Sequence, residues 1–259
     1  MSVERINGEA FHYTLKGPEN APVLVLSNSL GTTESMWASQ VDALCDRFRV
    51  LTYDTRGHGQ SDKKEGPYTL DQLGNDVLLL LDSLGIEQAS FCGISMGGLI
   101  GLWLGVHAPQ RIEKLIVCNT AARIGTVGGW LERAALVRSQ GMDPLADVSA
   151  VRWFTTNFVA TQTAVVESMI SALRRSDPEG YASCCDALAH ADLREVIASI
   201  SVPTLVVAGL HDPVTTTEDA DYMAQHIVGA RRVDLPASHL SNIEAGHAFN
   251  AAVSDFLTE

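Results

Sequence analysis

No stretch of the 259 residues approaches the ~20 consecutive apolar residues that a membrane-spanning helix needs. The longest apolar run, VLLLLDSL at residues 77–84, is interrupted by Asp82. The first residues, MSVERINGEAFHY, carry charge by position 4 and hold no apolar stretch. That pattern argues against a secretory leader and makes the cytoplasm the expected compartment. Positive charge is also scarce, with 18 Lys and Arg against 31 Asp and Glu and a net charge of −13. Binding to nucleic acid or to an anionic membrane surface rests on Lys and Arg contacts to phosphate, so both are disfavoured and small molecules become the expected partners. Cysteine is sparse and odd in number: Cys45, Cys92, Cys118, Cys184 and Cys185, without metal-ligand spacing. Cys92 and Cys118 lie in apolar strand-like runs, and adjacent Cys184 and Cys185 are poor disulfide partners for each other. All five read as reduced packing residues. Internal repeats and low-complexity tracts are missing too.

What is present is a chain 46% hydrophobic, long enough for one large core with insertions. Asn7-Gly8 between two short extended segments signals a hairpin. Apolar strands then recur: VLVL at 23–26, FRVLTY at 48–53, SFC ending at Cys92, LIVC at 115–118, TLVVA at 204–208 and RRVDL at 231–235. Helical patterns lie between most of them. One has Thr69 as N-cap and Gly85 just past its end, and another is stopped by Pro109. Strand alternating with helix predicts an α/β fold with a mostly parallel central sheet and helices on both faces. The alternation breaks between residues 122 and 192, where helical pieces follow one another without a strand. Residues 1–121 and 193–259 therefore read as the core, and 122–192 as an inserted helical cap that roofs a site.

GISMG at residues 93–97 fits the GxSxG pattern, with an apolar strand before it and a helical run after it. Such a turn strains the serine backbone and lifts the Ser95 hydroxyl above the sheet edge. The residues two before and two after crowd each other and need to be glycine. The Met96 N–H then faces the space before Ser95, at a helix N-terminus that favours an oxyanion. Taken alone, the same stretch also fits a glycine-rich turn with an incidental serine.

A serine hydroxyl needs a histidine base oriented by a carboxylate, and in this architecture the order is serine, acid, histidine, each on a loop after a strand. TLVVAGLHDPV puts Asp212 just after one strand, and RRVDLPASHLSNIE puts His239 just after the next. Asp219 and Asp221 fall inside the following helix, while LIVCNT carries Asn119 where an alternative acid would sit. The other histidines lie in strands or helices, adjoin Asp212 or, for His247, sit about two turns into a helix. In SNSLGTTESMW, Gly31 relaxes the loop so that the Leu30 N–H turns toward Ser95 as a second oxyanion donor. His58, between two glycines in YDTRGHGQSD, reads as structural.

With these residues in place, the chain resembles the α/β-hydrolase fold along nearly its full length. Through SNSLGT, YDTRGHGQSD, CGISMGG and SHLSNIE it more closely resembles the 3-oxoadipate enol-lactonases of aromatic catabolism. The resemblance implies a cofactor-free, metal-free serine hydrolase with Ser95, Asp212 and His239 as triad and Leu30 and Met96 as oxyanion hole. It also implies that Trp130 and Arg133 in GGWLERA contact the substrate, a small lactone carrying a carboxylate. A local guanidinium can bind that carboxylate bidentately despite the acidic surface, because screening limits distant charges to about 8 Å at physiological salt. A carboxylesterase or a cofactor-free haloperoxidase-like perhydrolase would keep the triad and change the pocket. A non-catalytic ligand-binding relative is disfavoured by the intact triad, and dehalogenases and epoxide hydrolases by the serine standing where they use an aspartate.

Overall fold

The computed structural model describes residues 2–6 and 8–259. Two antiparallel strands come first, β1 (Ser2–Ile6) and β2 (Glu9–Lys16), paired from Ser2↔Tyr13 to Ile6↔Glu9. Of the expected Asn7-Gly8 turn, Asn7 lies outside the described residues, while Gly8 has the positive φ of +82° that glycine permits. The remaining strands are β3 (Val23–Ser27), β4 (Arg49–Tyr53), β5 (Ala89–Ile94), β6 (Ile112–Cys118), β7 (Thr204–Gly209) and β8 (Arg231–Leu235). Together they make an eight-stranded sheet in the order β1-β2-β4-β3-β5-β6-β7-β8. Every pair from β4 to β8 is parallel, and only the β1–β2 and β2–β4 pairs are antiparallel.

β5 and β7 are buried at every residue, as strands covered on both faces must be, and their sequences are correspondingly apolar. β8 departs from that rule: RRVDL is exposed or half-buried at four of its five residues, because it is one of the two edge strands. Between the strands run α1 (Ala38–Leu44), α2 (Leu70–Ser83) and α3 (Met96–His107). Thr69 caps α2 by accepting from the Gln72 N–H at 3.1 Å, and Gly85 past its end has φ +65°. β6 and β7 are separated by five helices in succession: α4 (Val127–Gln140), α5 (Asp143–Trp153), α6 (Thr156–Thr161), α7 (Thr163–Arg174) and α8 (Pro178–His190). After β7 come α9 (Thr217–His226), α10 (Ser241–Glu244) and α11 (Gly246–Thr258). The last two replace the single helix that the sequence suggests after His239. The chain breaks at Ala245, so His247 lies in the first turn of α11 instead of mid-helix.

Buried charge is confined and paired. Arg56 forks onto Asp76 of α2 at 2.8 and 2.6 Å and also bonds Glu9 of β2. This pins the loop after β4 against the sheet and α2. The five cysteines are free, and the Cys92 and Cys118 sulfurs lie 3.9 Å apart across β5 and β6. No helix among the described residues is long and apolar enough to cross a membrane.

Candidate active site at the carboxyl edge of the sheet

Ser95 is the single residue between β5 and α3, with φ +57° and ψ −116°. A non-glycine residue holds such a backbone only when its surroundings over-determine it. Here its N–H donates to Cys118 O at 3.0 Å, and its carbonyl accepts from the Thr120 hydroxyl at 2.7 Å and the Leu99 N–H at 2.9 Å. The flanking glycines are required by contact. A Cβ on Gly93 would lie 2.2 Å from Gly97 O, and one on Gly97 would lie 2.2 Å from Ser27 O in β3.

Asp212 follows β7 and His239 follows β8, so both reach the same carboxyl edge as Ser95. His239 Nδ1 lies 2.8 Å from Asp212 Oδ2, and all three residues are buried. Asp212 also accepts from the N–H groups of Val214 (2.8 Å) and Thr215 (3.1 Å), the Thr215 hydroxyl (2.7 Å) and Asn119 Nδ2 (3.0 Å). Burial works against its ionisation, but His239, Asn119 and the Val214 N–H outweigh burial and hold the carboxyl below its ordinary range. An ionised acceptor at Nδ1 fixes the imidazole proton there and leaves Nε2 as the basic nitrogen. Neither Nε2 nor the Ser95 hydroxyl has a hydrogen-bond partner among the described residues; such contacts are often long before substrate arrives. Asn119, in the sequence only the amide that stands where an alternative acid would sit, joins the network itself. It has φ +44°, donates to Asp212 and Ser238 O, and accepts from the Ser241 hydroxyl.

The loop after β3 faces the N-terminus of α3. Asn28 O accepts the Gly97 N–H at 3.0 Å, while its side chain bonds Tyr53 O and the Trp37 indole. The Gly31 N–H donates to His58 Nε2 at 2.9 Å, and Gly31 has φ +78°. An imidazole that accepts at Nε2 is neutral and carries its proton on Nδ1, here 3.2 Å from Arg56 O. Burial keeps it so by lowering the His58 pKa. His58 is thus structural, as its sequence context suggests, and what it holds is the Leu30-Gly31 turn. The N–H groups of Leu30 and Met96 have no hydrogen-bond partner among the described residues, and that of Met96 opens α3.

Trp130 and Arg133 sit one turn apart on α4. The Trp130 indole donates to Ile124 O, and the Arg133 guanidinium lies 4.8 Å from the Trp130 ring centroid. Both line a cavity of about 250 Å³ with Arg152 of α5 and with Pro213 and Val214, the residues directly after Asp212. Arg152 lies in no motif, and the one signal it carries in the sequence is shared with Arg133: neither has an acid three or four residues away on its helix. A larger cavity of about 560 Å³ opens between the Gly31–Met36 loop and α7, lined by Met36, Met169 and Ile243 among others. It is the bigger space, but the smaller one holds the cations and adjoins the Asp212 loop.

A family model for the alpha/beta hydrolase fold matches residues 22–246. 3-Oxoadipate enol-lactonase 2 of Acinetobacter baylyi is 51% identical over 94% of this chain and 91% of its own length. 3-Oxoadipate enol-lactonase 1 of the same organism is 48% identical over 96% of this chain and 94% of its own. The crystal structure of the enol-lactonase from Burkholderia xenovorans LB400 superposes with a TM-score of 0.98 at 50% identity, covering 100% of both chains.

Proposed function

Because the chain belongs to the alpha/beta hydrolase fold family, we propose that it opens 3-oxoadipate enol-lactone to 3-oxoadipate through an acyl-enzyme on Ser95, within the β-ketoadipate route of aromatic catabolism. The observation that carries this reading is identity of about half the residues with 3-oxoadipate enol-lactonases over nearly the whole chain. The buried Ser95, Asp212 and His239 supply a chemistry that fits it.

His239 Nε2 takes the proton of Ser95 as the oxygen attacks the lactone carbonyl, and Asp212 stabilises the resulting imidazolium. The N–H groups of Leu30 and Met96 receive the tetrahedral oxyanion. Collapse of that intermediate breaks the ring C–O bond and expels an enolate, which takes up a proton and becomes the ketone. An enolate leaves more easily than an ordinary alkoxide, so His239 has less acid work to do. Water deprotonated by His239 then attacks the acyl carbon and frees Ser95. Residues 122–192 act as the cap over this site, on the core of residues 1–121 and 193–259, with Trp130 and Arg133 touching the lactone. The partner is a small anionic molecule in the cytoplasm, without nucleic acid or membrane.

A spectrophotometric assay of enol-lactone loss tests the reading. Ser95→Ala is expected to lower turnover by roughly 10⁴–10⁶-fold, as removal of a nucleophile does. Hydrolysis of simple aryl esters with no lactone turnover would reject the substrate, and near-normal Ser95→Ala activity would reject the nucleophile.

A further inference from the structure

Arg133 and Arg152 converge on one cavity of about 250 Å³ from two different helices, beside the Trp130 ring and the Pro213–Val214 turn. Neither guanidinium has a carboxylate within salt-bridge distance among the described residues, in a chain where acids outnumber bases 31 to 18. Two neighbouring arginines are matched: Arg138 of α4 bonds Glu179 and Asp186, and Arg174 of α7 bonds Asp143 and Asp147. Arg152 is only partly exposed, and burial together with the nearby charge of Arg133 lowers its pKa, although a guanidinium remains protonated. The buried Tyr181 phenol senses both cations, and the Asp212 carboxylate that reaches Arg152 through space is already committed to His239, Asn119 and Thr215. Two like charges partly withdrawn from water cost free energy that a shared anion would recover.

We propose that Arg152 is a specificity-determining residue, completing with Arg133 a two-guanidinium subsite that binds the free carboxylate of the lactone and, after ring opening, one carboxylate of the product diacid. The proposal rests on the reading of this site as a lactone hydrolase. Pro213 and Val214, the two residues that follow Asp212, line the cavity, so a carboxylate seated between the two cations lies beside the loop that carries this acid. The Trp130 ring, over which Arg133 lies, lines the same cavity and offers an apolar wall to the carbon chain behind the carboxylate. The favoured substrates are therefore lactones or esters with a carboxylate a few carbons from the scissile carbonyl, and neutral analogues are discriminated against.

Calorimetric titration with adipate, a diacid that cannot react, measures the subsite without turnover. Arg152→Gln is expected to weaken adipate binding tenfold or more, Arg152→Lys to retain most of it, and dimethyl adipate to bind poorly to the unmodified protein. In steady-state assays Arg152→Gln raises KM for the enol-lactone by a similar factor and changes kcat much less. Adipate affinity and KM that stay at the unmodified values in Arg152→Gln would overturn the proposal, and with lactone turnover intact the hydrolase reading would survive. No adipate binding by the unmodified protein would overturn it too. Adipate binding that depends on Arg152 in a protein that leaves enol-lactone intact would sink the proposed function and keep the anion subsite.

Discussion

His58 accepts the Gly31 N–H through Nε2 inside a fully enclosed pocket, one peptide away from the Leu30 N–H that the proposed mechanism uses. Replacement by phenylalanine preserves bulk and removes the acceptor. The stranded Gly31 N–H then carries a desolvation cost of about 1–3 kcal/mol, which the turn can relieve by rotating. Rotation would aim Leu30 away from the oxyanion, and loss of one such donor costs about 10²–10³-fold in kcat. His58→Phe is therefore expected to lower kcat at least tenfold with a smaller change in KM, while His58→Gln, which keeps an acceptor, recovers part of the rate. Equal kcat in both variants would separate the ring from the turn. At this scale the sequence was most readable where chemistry demands a residue type: the GISMG serine, and the acid and histidine just after their strands. Asn119, His58 and Arg152 were harder to read, because each owes its role to a partner that folding brings near. Asn119 meets Asp212 across 93 positions, and His58 meets Gly31 across 27.

At the scale of elements, the parallel strands were legible as apolar runs because burial on both faces leaves little room for polar residues. The exposed edge β8 and the break between α10 and α11 carry no comparable signal. Nor does the close approach of α8 to the loop after β4. A Cβ on Gly180 would fall 2.1 Å from Gly57 O, so backbone meets backbone there. Gly180→Ala must push α8 off the loop that holds His58, and such overpacking costs typically 1–3 kcal/mol. Gly128, with nothing within 4 Å of its added Cβ, is the matched control on α4. In urea titrations Gly180→Ala is expected to lose about 1–3 kcal/mol, while Gly128→Ala stays level or gains up to about 1 kcal/mol from helix propensity. Similar losses in both would mean that the Gly57–Gly180 contact does not control how the cap seats.

For the molecule as a whole, a net charge of −13 opposes capture of an anionic substrate, and only magnitudes decide whether that matters. Spread over a body of about 20 Å radius, this charge repels a monoanion at the surface by roughly 1–2 kcal/mol at about 10 mM salt and by less than about 1 kcal/mol at about 150 mM. The attraction to Arg133 and Arg152 acts over a few ångströms in a partly enclosed cavity, where each contact is worth up to about 4 kcal/mol before desolvation and salt intervenes little. Screening thus removes more repulsion than attraction. Raising salt across that range is expected to increase kcat/KM for the carboxylated lactone about threefold, since ~0.7 kcal/mol corresponds to that factor. The rate with a neutral aryl ester should stay flat, as it has no charge to repel. Composition alone gives the sign of the long-range field and says nothing of Arg133 and Arg152, which become neighbours only when α4 and α5 pack beside the Asp212 loop. A fall in kcat/KM with salt would mean that exposed cations govern capture, and the repulsive field of the acidic surface would then be too weak to steer the lactone.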